Sequence, residues 1–353
     1  SAKRKAQAAR LRRMRRKRIR NTILLILLLV VLCGAGGFGV YKLKGGAFSS
    51  TTNSFNVFSE FDNTLISKEN QRAEGFAQNL CVVTKDVDLD SVSLDDNQSG
   101  VLLNLNDKKV LYAKGAYNKV YPASITKIMT AMLALKYGNM DDTVTISQEN
   151  VTLESGSQVC GFWAGDQVTM DQLLHCLLVY SGNDAASAIA THVGGSTEGF
   201  VEMMNKKAQQ LGMNKTHFCD TTGLHDSDHY STVRDIAVLL RYALKNDTFR
   251  EIIESPRHST GVTNIHPSGI TYYSTMFKNL SDTSVTGGHI LGGKTGYTSE
   301  AGLCLASFAK IYDREYILVT AGAAGNTGSA LHVQDAVTIY NRLGSAIEAQ
   351  MEK

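Results

Sequence analysis

Three short polar motifs at wide spacing constrain the fold of this chain more strongly than any other feature. They are Ser124-Ile125-Thr126-Lys127, Ser181-Gly182-Asn183 and Lys294-Thr295-Gly296. Ser124 and Lys127 are three positions apart, so a helix places both side chains on one face. There are 57 residues from the first motif serine to the second and 113 more to Lys294, which leaves room for a mostly helical insert between two parts of a sheet. We therefore expect the fold to bring the motifs together.

The apolar pattern around these motifs predicts an α/β (α+β) fold with an antiparallel sheet. Two apolar runs flanking a polar turn predict a hairpin, and Thr169 with Gln172 matches a capping box at a helix start. Strands near both ends of this region, with helices between them, indicate a two-lobed arrangement. The predicted strands cover 100–105, 109–113, 302–311 and 316–321, and the predicted helices cover 124–136, 170–179, 197–211 and 331–347, with two more beginning after Asn183 and at Thr232.

The N-terminal end has the composition of a membrane anchor. Residues 1–20 hold 11 of the 36 Lys and Arg residues and no acid, and the segment Ile23–Tyr41 carries no charge. Its 19 residues nearly match a hydrocarbon core of about 30 Å. The basic flank predicts a cytoplasmic tail (1–20), a transmembrane signal anchor (21–42) and an extracytoplasmic remainder at the cell membrane. A cleaved signal peptide is the alternative.

The rest of the chain carries a net negative charge. Its composition predicts a linker followed by one large domain. Because the excess of basic residues is confined to the tail beside an apolar segment, we expect no nucleic-acid partner. Residues 43–75 are rich in Ser, Thr, Asn and Gly and predict a flexible linker. Residues 76–348 are predicted to form that domain. The six cysteines have no close pair, so no disulfide framework can be read from their spacing.

Four further stretches strengthen the pattern of the three motifs: Ser181–Ser187, Gly223–Asp226, His229–Thr232 and Gly292–Thr298. With them the chain resembles the serine-type D-alanyl-D-alanine carboxypeptidases, low-molecular-mass penicillin-binding proteins of the SxxK acyltransferase and peptidase S11 family. The resemblance covers roughly 76–345. It implies the serine β-lactamase/DD-peptidase fold, with a five-stranded antiparallel sheet flanked by helices and a mostly helical subdomain inserted.

The resemblance also implies a role for each motif residue. Ser124 is then the nucleophile, Lys127 its general base and Ser181 a relay of protons to the leaving amine. A free lysine has a pKa near 10.4, so Lys127 needs burial or a neighbouring cation, for which Lys294 is the candidate. The implied catalytic residues are Ser124, Lys127 and Ser181, and the implied substrate-binding residues are Asn183, Lys294, Thr295, Gly296 and Tyr297.

The implied reaction removes the terminal D-alanine from peptidoglycan stem pentapeptides through a Ser124 acyl-enzyme, with no cofactor and with β-lactam antibiotics as inhibitors. It belongs to cell-wall biogenesis and the control of cell shape. A DD-endopeptidase remains open, because the same site can cut either bond. A β-lactamase of class A needs a glutamate, and Leu211–Cys219 holds no acid. A non-turnover membrane sensor of β-lactams has only a tail of about twenty residues for signalling.

Two other groups of residues bear on these expectations. His225, Asp226, Asp228 and His229 suggest a zinc peptidase at first sight, but no HExxH spacing places two ligands on one helix face, so we expect no metal there. Near His332 the family often carries an arginine that helps bind the carboxylate. A differently shaped carboxylate site is therefore an expectation for this chain.

Overall fold

An antiparallel sheet with both faces covered organises the domain. The computed structural model describes residues 85–89 and 92–352, and all of them belong to one compact unit. Six strands form the central sheet in the order β2-β1-β10-β9-β8-β7, and two small sheets pair β3 with β4 and β5 with β6. The strands are β1 (Ser99–Asn104), β2 (Val110–Lys114), β3 (Thr143–Thr145), β4 (Gln167–Thr169), β5 (Arg257–Ser259), β6 (Thr271–Tyr273), β7 (Ser284–Val285), β8 (Gly288–Thr298), β9 (Gly302–Ile311) and β10 (Arg314–Ala323).

The prediction of a five-stranded sheet is wrong, because the described sheet has six strands. The additional strand β7 has two residues, Ser284 and Val285, which pair with His289 and Gly288 of β8. Two residues are too few to show the period of two by which a strand is recognised in a sequence. The antiparallel α/β arrangement itself is confirmed.

The helices lie on both sides of the sheet. On β10, Ile317 and Val319 join one hydrophobic cluster, which includes the inserted helices, while Tyr316 and Leu318 join a second under the C-terminal helix. This alternation follows from the pleat of a strand. The helices are α1 (Lys127–Tyr137), α2 (Gln148–Val151), α3 (Met170–His175), α4 (Asn183–Gly194), α5 (Thr197–Gln210), α6 (Val233–Ala243), α7 (Asp247–Ile253) and α8 (Leu331–Met351).

The sequence signals for helix starts are confirmed, but one helix differs in kind. Thr169 accepts a hydrogen bond from the Gln172 N–H in a complete capping box, and Thr232 caps α6 by accepting from the Asp235 N–H. The helix predicted over 170–179 is α-helical only as far as His175. It continues as a π-helical turn, Cys176–Tyr180, that ends at the second motif. Such π-helical turns are rare in proteins as a whole, and those that occur are frequently found at functional sites.

The predicted tail (1–20), signal anchor (21–42) and linker (43–75) lie outside the described residues. Within 85–89 and 92–352, no helix combines the length and the apolar character needed to cross a membrane. The limits 76–348 of the catalytic domain remain a prediction. Cys160 and Cys176 form a disulfide that the cysteine spacing did not reveal.

Candidate active site

The first motif forms a tight turn at the start of α1. Ser124 lies in a 3-10 turn, Ala123–Thr126, and Lys127 is the first residue of the α-helix. The Lys127 Nζ donates hydrogen bonds to Ser124 Oγ at 2.9 Å and to the carbonyl oxygen of Thr222 at 2.9 Å. The predicted contact between lysine and serine is thus present in the structure.

Burial gives Lys127 the protonation behaviour of a base. Its side chain has no exposed surface, and this desolvation lowers the pKa of Lys127 to about 7 although Asp220 and Asp184 act in the opposite direction. A pKa near neutrality leaves a large neutral fraction that can accept a proton at physiological pH. Lys127 therefore meets the electronic requirement for activating Ser124.

A second pair of hydroxyl and amine faces the first. Ser181 follows the π-helical turn with a φ of 74°, in the left-handed region. The Lys294 Nζ donates to Ser181 Oγ at 2.8 Å and to the Thr295 carbonyl oxygen at 2.9 Å. Strained backbone of this kind is maintained when its surroundings fix it and is common at active sites. The contact joins the second motif to the third.

The charges of the two lysines depend on each other. Burial lowers the pKa of Lys294 well below its ordinary value, and the positive charge of Lys127 lowers it further. The sequence suggested Lys294 as the cation that lowers the pKa of Lys127, whereas burial is the main cause for Lys127. Since repulsion between two ammonium groups is mutual, protonation of either lysine disfavours protonation of the other.

The third motif lies on a strand edge that is open to a ligand. Strand β8 pairs with β9 from Gly288 to Thr298, while β7 covers its other side only at Gly288 and His289. No other strand in the described part of the chain pairs with that side. Thr295 Oγ1 donates to Thr275 Oγ1 at 2.7 Å, which fixes one hydroxyl beside the open edge.

Gly296 allows β8 to approach the nucleophile. A Cβ atom at Gly296 would lie 3.0 Å from the Pro122 carbonyl oxygen, 3.0 Å from the Ser124 nitrogen and 3.1 Å from the Ala123 Cβ. These neighbours belong mainly to the backbone of the tight turn and have little freedom to move. A side chain here would press the strand away from Ser124.

The structure brings all eight residues of the predicted site together. Lys127 and Lys294 are buried beneath Ser124 and Ser181. The other six line one cleft, and they are Ser124, Ser181, Asn183, Thr295, Gly296 and Tyr297.

Sequence reasoning missed Gln158 and Thr275 and drew attention to the neighbourhood of His332. Gln158 and Thr275 line the cleft but belong to no recognisable motif. His332 lines it from the first turn of α8 and is only 3% exposed. Burial lowers the pKa of His332 to about 4, so it is neutral at pH 7, and its Nδ1 has no hydrogen-bond partner among the described residues. The predicted difference near His332 thus falls on the wall of the cleft.

A disulfide-bonded loop supports the second motif from below. The carboxylate of the buried Asp184 accepts hydrogen bonds from the N–H groups of Cys160 at 2.9 Å and Gly161 at 3.1 Å. The Asn183 N–H donates to the Gln158 carbonyl oxygen at 2.8 Å. Because Cys160 is bonded to Cys176 of the π-helical turn, the loop is covalently tied to the chain that leads into Ser181.

Of the four residues that first suggested zinc, His229 contacts the catalytic turn directly. His229 is buried, and its Nδ1 accepts a hydrogen bond from the Cys219 N–H at 3.1 Å. Its Nε2 lies 2.8 Å from Thr126 Oγ1 and must carry the proton, because Nδ1 is an acceptor. Both ring nitrogens thus connect the loop to the Ser124 turn.

A family model described as D-alanyl-D-alanine carboxypeptidase, Peptidase S11, matches residues 90–325 of this chain, which is more than half of its 353 residues. The chain belongs to the D-alanyl-D-alanine carboxypeptidase family. Within this family, the chain is 35% identical over 232 residues to the D-alanyl-D-alanine carboxypeptidase DacF of Bacillus subtilis. The matched residues are 64% of this chain and 57% of DacF. The chain thus spans less than two thirds of that relative. With the carboxypeptidase of Streptomyces sp. strain K15 it shares 31% identity over 253 residues, 69% of this chain and 85% of the relative.

Solved structures of the carboxypeptidase family share the fold. The Streptomyces K15 DD-transpeptidase superimposes with a TM-score of 0.64 at 31% identity, covering 72% of this chain and 99% of that one. A D-alanyl-D-alanine carboxypeptidase from Mycobacterium tuberculosis gives a TM-score of 0.64 at 25% identity, covering 74% of this chain and 96% of that one. The mixed α/β fold of the DD-peptidases is therefore confirmed.

Proposed function

We propose that this protein is a serine-type D-alanyl-D-alanine carboxypeptidase that removes the last D-alanine from peptidoglycan stem pentapeptides and is acylated by β-lactams. The observation that carries the proposal is the pair of hydroxyl-amine contacts, Ser124 with Lys127 and Ser181 with Lys294, beside one cleft and one open strand edge. Membership of the family supports the same reaction class.

Acylation begins with proton transfer from Ser124 to Lys127. The neutral Lys127 amine accepts the proton while Ser124 Oγ forms a bond to the carbonyl carbon of the penultimate D-alanine. The backbone N–H groups of Ser124 and Tyr297 donate hydrogen bonds to the negative oxygen of the tetrahedral intermediate. The close approach of β8 to the Ser124 turn at Gly296 supports this role.

Breakage of the peptide bond requires a proton on the departing amine. Ser181 gives its hydroxyl proton to that nitrogen. Ser181 then receives the proton that Lys127 took from Ser124, so that Lys127 is neutral again. Hydrolysis of the acyl-enzyme then repeats the first step with water as nucleophile: Lys127 takes a proton from water, and Ser124 Oγ leaves and regains one.

The open side of β8 gives a peptide substrate a place to bind. An extended peptide can add to such an edge by main-chain hydrogen bonds. The free carboxylate of the substrate then lies near the Thr295 hydroxyl and the Lys294 side chain, and Asn183 orients the peptide backbone from the opposite wall. A requirement for the free carboxylate distinguishes a carboxypeptidase substrate from an internal peptide.

The test is a mass-spectrometric assay with a pentapeptide ending in D-Ala-D-Ala. The full chain is expected to release one alanine per peptide, and the Ser124→Ala variant is expected to release none. A Ser231→Ala variant is the matched control, because Ser231 is a buried serine outside the cleft lining. Release by Ser124→Ala at the wild-type rate would contradict the proposal. A persistent penicillin adduct without turnover of the peptide would favour a sensor.

Transpeptidation is the second candidate, because a solved relative with a TM-score of 0.64 is named a DD-transpeptidase. The two reactions share the acyl-enzyme and differ in whether water or an amine attacks it. Adding glycine or another amine acceptor to the pentapeptide assay separates them by the mass of the product. Tetrapeptide as the main product supports the carboxypeptidase, and a new amide as the main product supports the transpeptidase. Release of tetrapeptide from crosslinked dimers would indicate endopeptidase activity.

We also propose that the domain works outside the cytoplasmic membrane, held there by the segment 21–42. The basic run before that segment supports this orientation, and so does the Cys160–Cys176 disulfide, because such bonds are rare in the cytosol. Protease treatment of intact spheroplasts tests this topology. Digestion of the domain is expected, and protection until the membrane is opened would contradict it.

A further inference from the structure

A cluster of one carboxylate and two imidazoles lies outside the cleft. Asp171 and His175 are one helical turn apart on α3, so their side chains share a face. His258 reaches the same place from β5, in the hairpin that β5 forms with β6. One ligand atom from each of the three residues lies within 4.8 Å of the other two. The proposed reaction uses none of these residues.

The spacing within the cluster is close to that of ligands on one metal ion. Asp171 Oδ1 and His175 Nδ1 are 3.3 Å apart. Two ligands at about 2.1 Å from a tetrahedral ion lie about 3.4 Å from each other. The ligand atoms of all three residues lie within 4.8 Å of one another. Because a metal–imidazole bond lies in the plane of the ring, binding one ion requires the His258 ring to rotate relative to that of His175.

His258 carries the second observation. Its Nε2 is buried and has no hydrogen-bond partner in the described part of the chain. Its ring stacks on that of His175 with 3.7 Å between ring centroids and 18° between ring planes. A buried imidazole nitrogen needs a partner, and stacked imidazoles disfavour two positive charges at close range. A bound cation would hold both imidazoles in the neutral form, with one nitrogen of each ring directed at the ion.

We propose that Asp171, His175 and His258 form a zinc-binding site. Two imidazoles and one carboxylate suit a divalent transition metal, and zinc commonly takes three protein ligands with water in the fourth position. The Asp171 side chain is 44% exposed, so water can reach the site, while that of His175 is 13% exposed. In the absence of metal, His175 Nδ1 donates its proton to the Asp171 carbonyl oxygen at 3.0 Å. Binding through Nδ1 therefore requires the neutral imidazole to carry its proton on Nε2 instead.

The ion would join two elements that each lead into a residue of the cleft. Helix α3 continues through the π-helical turn to Ser181. The hairpin of β5 and β6 leads to Thr275, whose N–H donates to the Val179 carbonyl oxygen at 3.0 Å and whose hydroxyl accepts from Thr295. A cross-link between the two elements would therefore hold the second and third motifs in a fixed relation. This inference does not rest on the proposed reaction.

The test uses the untagged full chain, stripped of metal and then dialysed against Zn²⁺. We expect one equivalent of Zn²⁺ per chain at this site and a higher melting temperature with the metal, since binding to the native state alone stabilises it. Asp171→Asn and His258→Ala are each expected to weaken binding by about 100-fold or more, because even second-layer partners of metal ligands contribute about 10- to 100-fold. Circular dichroism verifies that each variant folds.

His192→Ala is the matched control. His192 also pairs with a carboxylate, that of Asp142 at 3.1 Å, but no second imidazole joins that pair in the described clusters. We expect this variant to bind Zn²⁺ as the wild type does. Asparagine has nearly the same size as aspartate, and the Asp171 side chain is partly exposed. We therefore expect Asp171→Asn to fold, which keeps the test valid if His258→Ala does not. Equal Zn²⁺ affinity in Asp171→Asn and the wild type, or no stoichiometric binding by the wild type, would overturn the proposal.

Discussion

At the scale of single residues, two lysine side chains without exposed surface determine how this site can work. Taking an ammonium group out of water disfavours its charged form, and two such groups in one site disfavour it further. The pKa of Lys127 is lowered to about 7, and that of Lys294 is lowered well below its ordinary value. Amines that are charged on a protein surface can therefore accept protons here.

The first prediction is a pH dependence of acylation. Only the neutral form of Lys127 accepts the Ser124 proton, so the rate constant for acylation by benzylpenicillin should rise with pH and level off above about 7. Below the pKa of Lys127, the fraction of the neutral amine falls about tenfold for each pH unit. Stopped-flow measurements between about pH 5 and 8 give the profile. His332 stays neutral over this range because its pKa is about 4.

Lys127→Arg provides the control for that profile. Arginine keeps the positive charge at every pH in the range, so its acylation should be at least about 1000-fold slower throughout, a magnitude within the range for loss of an acid-base group. A wild-type rate that does not change between pH 5 and 8 would show that Lys127 is not the base.

The second prediction concerns Gly296. Alanine at this position places a Cβ 3.0 Å from two backbone atoms of the Ser124 turn. A displacement of about 1 Å near a reacting atom can cost about 100-fold in rate, so we expect acylation to slow by about that factor. Tight packing of an added methyl group should lower the free energy of unfolding by about 1–3 kcal/mol. Gly328→Ala, at an exposed glycine, is the control. An unchanged acylation rate in Gly296→Ala would contradict the account.

At the residue scale, the short motifs predicted which side chains would lie together. All eight predicted site residues meet in the structure, because each motif fixes residue type and spacing together. Gln158 and Thr275 could not be found in this way. They enter the cleft through the folding of the chain around it, and neither has a local signature in the sequence.

At the scale of elements, the segment leading into the second motif is unusual in two respects. It ends in a π-helical turn, and Cys176 at the start of that turn is bonded to Cys160 of the loop before α3. The extra residue in the π-helical turn and the Cys160–Cys176 disulfide together fix the direction in which the chain leaves the helix at Ser181. A glycine follows at Gly182, where a Cβ atom would overlap both cysteine sulfurs.

The third prediction is that this disulfide stabilises the domain. A cross-link across 16 residues is expected to contribute about 3 kcal/mol to the free energy of unfolding. Reductant should lower the melting temperature of the wild type and slow penicillin acylation, because the loop that carries Gln158 loosens. A double variant, Cys160→Ala with Cys176→Ala, should melt at the lower temperature with or without reductant. Equal melting temperatures for the wild type and the double variant would refute the prediction.

Element-level expectations were best where a local signal existed. The capping residues Thr169 and Thr232 predicted the starts of α3 and α6 because the cap is formed by neighbours in sequence. The π-helical turn and β7 were missed for a physical reason. A π-turn depends on tertiary packing, and β7 exists through its pairing with β8.

At the scale of the whole molecule, the chain combines one compact domain with the sequence signals of a membrane anchor in residues 1–42. All eight site residues lie between Ser124 and Tyr297, and the family model matches residues 90–325. Sheet, helical insert and cleft therefore form one functional unit. The mixed α/β architecture was predictable because strands and helices are separated along the chain, whereas the number of strands was not.

The fourth prediction is that the domain acylates without the N-terminal segments. A protein of residues 76–353 should react with benzylpenicillin at the rate of the full chain within about twofold, because all eight site residues lie between Ser124 and Tyr297. Stopped-flow comparison of the two proteins measures this directly. A rate more than tenfold slower in the shorter protein, with its circular dichroism unchanged, would mean that residues 1–75 contribute to the reaction.

The most direct test of the account is the location of the acyl group. Incubation of the full chain with benzylpenicillin, followed by proteolysis and peptide mass spectrometry, identifies the modified residue. We predict a single adduct on Ser124 in the wild type, none in Ser124→Ala, and a greatly slowed adduct in Lys127→Ala. An adduct on another residue, or one that persists in Ser124→Ala, would contradict the claim that the three motifs form one acylating centre.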